Sequence, residues 1–193
     1  MPPAVRKERA DAARNREAVL AAAARLFEER GDPDRVSMDD IAAAAGVGKG
    51  TLFRRFGDRV GLIKALVERR TEELRADLVE GPPPLGPGAP ADERILALLD
   101  AVVRLKLGTR PLMLALESAG SGSPYQNDSY ELWHGRLTEL LVEVRGKQDA
   151  DFLAHALLAA VRSDLIEHLA AGGTPPQRIR GGVAALARAV LSA

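Results

Sequence analysis

Apolar residues return at three- and four-residue intervals along most of the chain, the spacing that lines one side of an α-helix, not the two-residue alternation of a strand. Val19, Ala23 and Phe27, flanked by Leu20, Ala24 and Leu26, set the first stripe and predict a helix from about Asp11 to Arg30. Gly31-Asp32-Pro33-Asp34 stops it, because glycine suits a C-terminal cap and proline cannot continue a helix. Ser37 then offers an N-cap, with Asp40 as the acidic half of a capping box and Ile41, Ala42 and Ala45 facing inward as far as Gly46. After a tight corner at Val47-Gly48, a second short segment ends at Phe56 and carries Leu52 and Phe56 on one face. Two short helices joined by a glycine turn predict a helix-turn-helix.

Gly57 breaks that segment and Asp58 caps a long helix, striped by Leu62, Ile63, Leu66, Val67, Leu74 and Leu78 down to about Val79. At ~1.5 Å per residue it is roughly 33 Å long. The run from Gly81 to Pro90, rich in proline and glycine, cannot be helical and is expected to be a mobile loop between helices. Beyond it, helices are expected from Asp92 to Leu107, from Thr109-Arg110-Pro111 to Gly120, and from Asp128, boxed with Glu131, through Val144. Two more follow, from Asp149 to about Ala171 and from Thr174-Pro175-Pro176 to Leu191. The reading is all-α, about nine helices, with residues 1–57 as one domain and 58–193 as a second.

Composition agrees: 46% of the residues are hydrophobic but only 4% aromatic, which favours helix over sheet. The absence of cysteine excludes disulfides, thiolate catalysis and cysteine metal sites. No apolar run approaches the roughly 18 residues of a membrane span, so a cytoplasmic protein is expected. The formal net charge is zero, which argues against a protein that coats nucleic acid over its whole surface. Yet the basic residues form two islands. Arg6, Lys7, Arg9, Arg14 and Arg16 outweigh Glu8 and Asp11 at the start, and Lys49, Arg54, Arg55, Arg59 and Lys64 face Asp58 alone.

The stretch from Ser37 to Arg59 resembles the DNA-binding signature of the TetR family, above all in its Ile-Ala, Ala-Gly-Val, Lys-Gly-Thr-Leu-Phe and Phe-Gly-Asp-Arg series. The upstream Arg25-Leu26-Phe27 with Gly31 also sits where that family places its first helix. A small Ala42 lets two helices cross, Gly46 supplies a positive φ, and Val47, Leu52 and Phe56 close a miniature core. Lys49, Thr51, Phe53, Arg54, Arg55 and Arg59 are left outward with the Ser37 hydroxyl, all suited to phosphate oxygens or their neighbourhood. The resemblance implies that the second short helix enters the major groove, with Lys49, Gly50, Arg54 and Arg55 near base edges. Ser37, Thr51, Phe53 and Arg59 would hold phosphates. Gly48, Phe53 and Arg54 depart from the serine, tyrosine and histidine frequent in the family. Gly48 loses a side-chain cap, Phe53 loses a hydroxyl, and Arg54 gains a fork that reaches guanine or phosphate.

The resemblance fades after about Leu66. There it implies a helical domain that binds a small-molecule effector and dimerises, giving a repressor released from a palindromic operator. Stripes of Leu153, Leu157, Val161 and Leu165 with Phe152 and Leu169, and of Ile179, Val183, Leu186 and Val190, fit a four-helix interface in a homodimer. Their use as ordinary core is the other reading. Polar and aromatic groups set among apolar ones suggest an effector pocket from Tyr130, Trp133, His134 and Leu137 with Met113, Leu116, Glu117 and Arg162, although Arg162 equally suits an ion pair with Asp164 or Glu167. His134, His155 and His168 lack HxxxH spacing, and no phosphate loop or serine nucleophile elbow occurs, so neither an enzyme nor a metal or other cofactor is expected. A helical ligand-binding or scaffolding dimer, with a merely structural helix-turn-helix, is the alternative to a regulator.

Overall fold

The computed structural model describes residues 3–30, 35–117 and 128–192, leaving aside the side chains of residues 3–10, 111, 113–117 and 128. The described residues form nine helices and no strand: α1 Pro3–Arg30, α2 Met38–Ala45, α3 Lys49–Phe56, α4 Arg59–Glu80, α5 Ala91–Glu117, α6 Asp128–Arg145, α7 Ala150–Ala159, α8 Ser163–Ala171 and α9 Pro176–Ser192. None of them is long and apolar enough to cross a membrane. The expected stop at Gly31 to Asp34 and the end at Gly120 lie outside the described residues.

The expected nine helices match in number because two differences cancel. The two helices expected to meet at Pro111 are one, α5. Proline deletes the amide donor that would reach the Leu107 carbonyl; in the same turns Thr109 Oγ1 donates to the Leu105 carbonyl and Arg70 Nη1 to the Gly108 carbonyl, both at 2.8 Å. Conversely, the helix expected from Asp149 to Ala171 is broken into α7 and α8. Arg162 is extended there, with φ −61° and ψ 145°. Lys106 Nζ donates to the Val161 carbonyl at 2.6 Å, and Asp164 Oδ1 accepts the Leu165 amide at 2.9 Å, so the broken ends find partners outside a continuous helix. Asp149 stands at the start of α7 but makes no side-chain capping bond.

Two compact units result, residues 1–69 with 111–121 and residues 70–110 with 122–193. The division falls within α4, not at Gly57. Leu62, Ile63, Ala65 and Leu66 of α4 are buried with Val19, Leu20, Ala23, Phe27, Ile41, Leu52 and Phe56 in the core of the first unit. The second unit has its own core, in which Leu74, Leu78, Leu98, Leu99, Leu137, Leu140, Leu141 and Leu157 meet. Ion pairs join helices over the second core. Arg110 of α5 grips Glu167 of α8 with Nε and Nη2 at 2.5 and 2.8 Å, and Arg180 of α9 grips Asp100 of α5 at 2.5 and 2.9 Å.

Asp58 caps α4 as expected, its Oδ1 accepting the Gly61 amide at 2.8 Å. At the other end the Gly81 amide donates to the Asp77 carbonyl at 3.0 Å. The proline-rich run that follows is a tight succession of turns. Gly86 packs so closely on Gly81 that a Cβ at Gly86 would lie 1.8 Å from the Gly81 carbonyl oxygen, which only glycine avoids.

Candidate nucleic-acid interface

The helix-turn-helix is built by short-range bonds. Ser37 Oγ accepts the Asp40 amide at 3.1 Å and Asp40 Oδ2 accepts the Ser37 amide at 3.0 Å, a complete capping box at the start of α2. Arg30 Nη1, from the end of α1, donates to the same carboxylate at 2.9 Å and to the Arg35 carbonyl at 2.7 Å. The Ser37 amide above all, with the Ser37 side chain and Arg30, holds the Asp40 carboxyl below the usual carboxylate range. Gly46 closes α2 at φ 65°, the left-handed conformation that turns the chain toward α3. Leu52 and Phe56 then bury one face of α3, and Arg16 of α1 lies over the Phe56 ring, 5.4 Å from its centre.

The opposite face of α3 is open. Lys49, Gly50, Arg54 and Arg55 are exposed, Thr51 is half-buried, and Phe53 is 39% exposed. These side chains differ in how they are engaged. Lys49 Nζ bonds the Asp39 carboxylate at 2.8 Å. Arg55 Nη1 donates to the Ala12 carbonyl of α1. Arg59, half-buried, donates to the Val36 carbonyl at 3.1 Å, which ties the start of α4 to the approach to α2. Arg54 has no hydrogen bond or ion pair among the described residues. Gly48 leaves the first turn of α3 without a side-chain cap, as its missing serine hydroxyl implies. Arg14 of the expected basic arm is exposed beside Asp11, within α1, while the side chains of Arg6, Lys7 and Arg9 lie outside the described residues.

The expected effector residues whose side chains are described divide between the core and the surface of the second unit. Leu137 is fully buried in the core of the second unit. Trp133 is nearly so, and its indole Nε1 is buried with no hydrogen-bond partner among the described residues, while Lys106 Nζ sits 6.0 Å from the ring centre. Desolvation pushes the Lys106 amine down to about 8, with Asp164 pulling it up and Arg162 pushing it down. Tyr130 and His134 belong to a different cluster, with His155 on α7. Arg162 makes the ion pair that was its other reading, on Asp164 with Nε at 3.0 Å and Nη2 at 2.7 Å. Met113, Leu116 and Glu117 lie in the last turns of α5, and their side chains fall outside the described residues. Lys106 went unnoticed in the sequence because a lysine in a helical stripe carries no sign of burial.

The stripes expected at the dimer interface are divided as well. Leu157, Val161, Ile179 and Val183 are buried in the core of their own unit, which already covers most of each side chain. Leu153 and Val190 are half-buried against that core. Leu165 and Leu186 stand out at 40% and 43% exposure. With Leu169, Ile179 and Val183 they line an open groove of about 560 Å³ between α8 and α9.

A trihelical helix-turn-helix with a basic outer face, followed by a second helical unit, defines a DNA-binding transcriptional regulator. Residues 19–66 match the family described as bacterial regulatory proteins, tetR family. The chain is 27% identical over 161 residues to a helix-turn-helix transcriptional regulator of Staphylococcus aureus, covering 82% of this chain and 84% of that protein. It is 32% identical over 97 residues to the helix-turn-helix regulator TtgW of Pseudomonas putida, covering 50% of this chain and 69% of that protein. The crystal structure of a TetR transcriptional regulator from Streptomyces coelicolor is 30% identical with a TM-score of 0.54, over 92% of this chain and 96% of that one. The chain belongs to the TetR family of transcriptional regulators.

Proposed function

We propose that this regulator is a homodimeric repressor whose α3 enters the major groove at each half of a pseudo-palindromic operator, and that a small molecule bound in the second unit releases it. The observation that carries the DNA-binding geometry is the outer face of α3, where Arg54 is exposed and unengaged while Leu52 and Phe56 anchor the helix behind it. In this reading Arg54 and Lys49 read base edges across Gly50. Thr51, Phe53, Arg55 and Arg59 pack against or hold the phosphate backbone. Ser37 would serve first as the cap of α2, its oxygen accepting the Asp40 amide, and would reach phosphate only by turning its hydroxyl from the Asp40 carboxylate.

The groove between α8 and α9, with Leu165 and Leu186 exposed, supports a second copy of the chain as its occupant. For the effector, the indole of Trp133, without a partner among the described residues and beside Lys106, supports a polar ligand among the apolar walls of the second unit. The continuous helix α4, ~33 Å long, is the element on which effector and operator would act antagonistically, with a reciprocal coupling of about 1 to 3 kcal/mol.

Selection of bound sequences from random DNA, followed by footprinting and a screen for compounds that abolish binding, tests the proposal. Two-fold protected half-sites about one helical turn apart are expected. Retention on DNA that does not weaken with salt, or no sequence enrichment, would return the chain to the class of helical ligand-binding dimers.

A further inference from the structure

Two of the three histidines of the chain, separated in sequence by 21 residues, meet on the surface of the second unit, across α6 and α7. His134 comes from α6. Asp151 and His155 come from α7, four residues apart, and so project from one side of that helix. A nitrogen of each imidazole and a carboxylate oxygen of Asp151 lie within 4.8 Å of one another. His134 is half-buried, whereas Asp151 and His155 are exposed, which leaves the cluster accessible from solvent.

The two imidazoles stack with ring centres 3.9 Å apart, and His134, the less firmly held, would turn from that stack for both to face one cation. His134 Nε2 lies 3.4 Å from Asp151 Oδ1 and 3.4 Å from the Asp151 carbonyl, both beyond a good hydrogen bond. Two ligands on one tetrahedral cation, each at ~2.0–2.1 Å, stand roughly 3.4 Å apart, so the first distance is that of two donors sharing a metal. The Tyr130 hydroxyl bonds His155 Nδ1 at 2.5 Å. With Nδ1 held, Nε2 is the nitrogen His155 has left to offer, and the ring is fixed by an outer partner as metal-binding histidines usually are.

We propose that His134, Asp151 and His155 form a binding site for a divalent transition-metal cation of the zinc class, with solvent completing its coordination. Two imidazoles and one carboxylate suit Zn²⁺, and also Co²⁺ as a spectroscopic substitute, better than the oxygen-only cages of Ca²⁺ or Mg²⁺. The cation would cross-link α6 to α7. The missing sequence signal was an Asp-x-x-x-His pair on one helix, its third ligand supplied by a neighbouring helix that spacing alone does not join.

The test uses the full chain, free of any affinity tag, stripped with a chelator and dialysed. Zn²⁺ is titrated against a chromophoric competitor, and Co²⁺ binding is followed by its visible absorption. One equivalent per chain is expected, with visible bands of a nitrogen- and oxygen-ligated ion. Asp151→Asn and His155→Ala should each weaken binding by more than about tenfold, and Tyr130→Phe by ~10-fold through the loosened His155 ring. His168→Ala, elsewhere in the unit, should bind as the parent does. Circular dichroism checks that each variant keeps its helices, and His134→Gln serves if one does not. No stoichiometric Zn²⁺ on the parent chain, or stoichiometric binding that survives in the Asp151→Asn, His155→Ala double variant, overturns the site.

Discussion

Lys49, the first residue of α3, bonds the carboxylate of Asp39 in α2 at 2.8 Å, so the start of α3 is held by an acid from its own motif. The pair is exposed on both sides and is therefore weak. In the proposed complex DNA competes for the same ammonium, and Asp39 opposes it twice, by holding Lys49 and by repelling the nearby phosphates with its own charge. Asp39→Asn is expected to tighten binding to all DNA sequences by about two- to threefold at low salt. Fluorescence anisotropy with operator and random duplexes is the measurement; unchanged or weakened binding would mean that the pair organises α3 instead of restraining it.

Arg54 and Arg59 should fail in different ways. Arg54→Ala is expected to cost about 1 to 3 kcal/mol and relax preference at one base position. Arg59→Ala should weaken every sequence alike and lower the salt slope by about one. Because Arg59 also donates to the Val36 carbonyl, its variant should lose roughly 1 kcal/mol of folding stability, which Arg54→Ala should not. Binding isotherms over a salt series, beside urea melts, separate the two; equal, sequence-independent losses would make Arg54 a phosphate contact.

The proposed dimer rests on side chains that the second unit does not use for itself. Leu165→Asp with Leu186→Asp places charge on two exposed positions, so the helical content should hold while sedimentation shifts from dimer to monomer. Operator affinity should fall with it. A double variant that sediments as the parent does would move the interface away from α8 and α9.

Lys106 gives a pH signature. Its amine loses its proton near pH 8 in the folded chain, chiefly because burial disfavours the charge, and at 10.5 when unfolded. Between those values the unfolded chain holds more protons, so stability rises with pH, and below pH 8 the folded state carries the full cost of the buried charge. The parent should gain stability relative to Lys106→Met across that window, by at most about 3 kcal/mol. Denaturant melts from pH 7 to 10.5 measure it. A constant difference would show that the amine is well solvated.

What the sequence disclosed is whatever neighbours within a few residues decide. The Ser37–Asp40 box, the turn at Gly46 and the inward pair Leu52 and Phe56 follow from spacings of three and four, and each is found as expected. Elsewhere partners are distant. The break after Ala159 involves Lys106, 55 residues from the carbonyl that it bonds, and the passage of α5 through Pro111 is served by Arg70. The interface stripes misled for a related reason: periodicity marks a helix face as apolar without saying whether the chain's own core or a second chain covers it. Leu157 and Val161 are buried in the chain's own core, and Leu165 and Leu186 stand exposed.

The two ends of α4 bear on how the helix breathes. Helices ordinarily exchange their terminal amide hydrogens with solvent fastest, because the first and last turns open independently of the rest. Here the Asp58 carboxylate holds the first turn and the Gly81 amide closes the last, with the Gly86 backbone lying against Gly81. Opening either end must therefore undo a cap or a packed turn as well as a helical bond. The amide of Gly61 should exchange slowly for its position, and deuterium uptake along α4 should be nearly level instead of rising toward its ends.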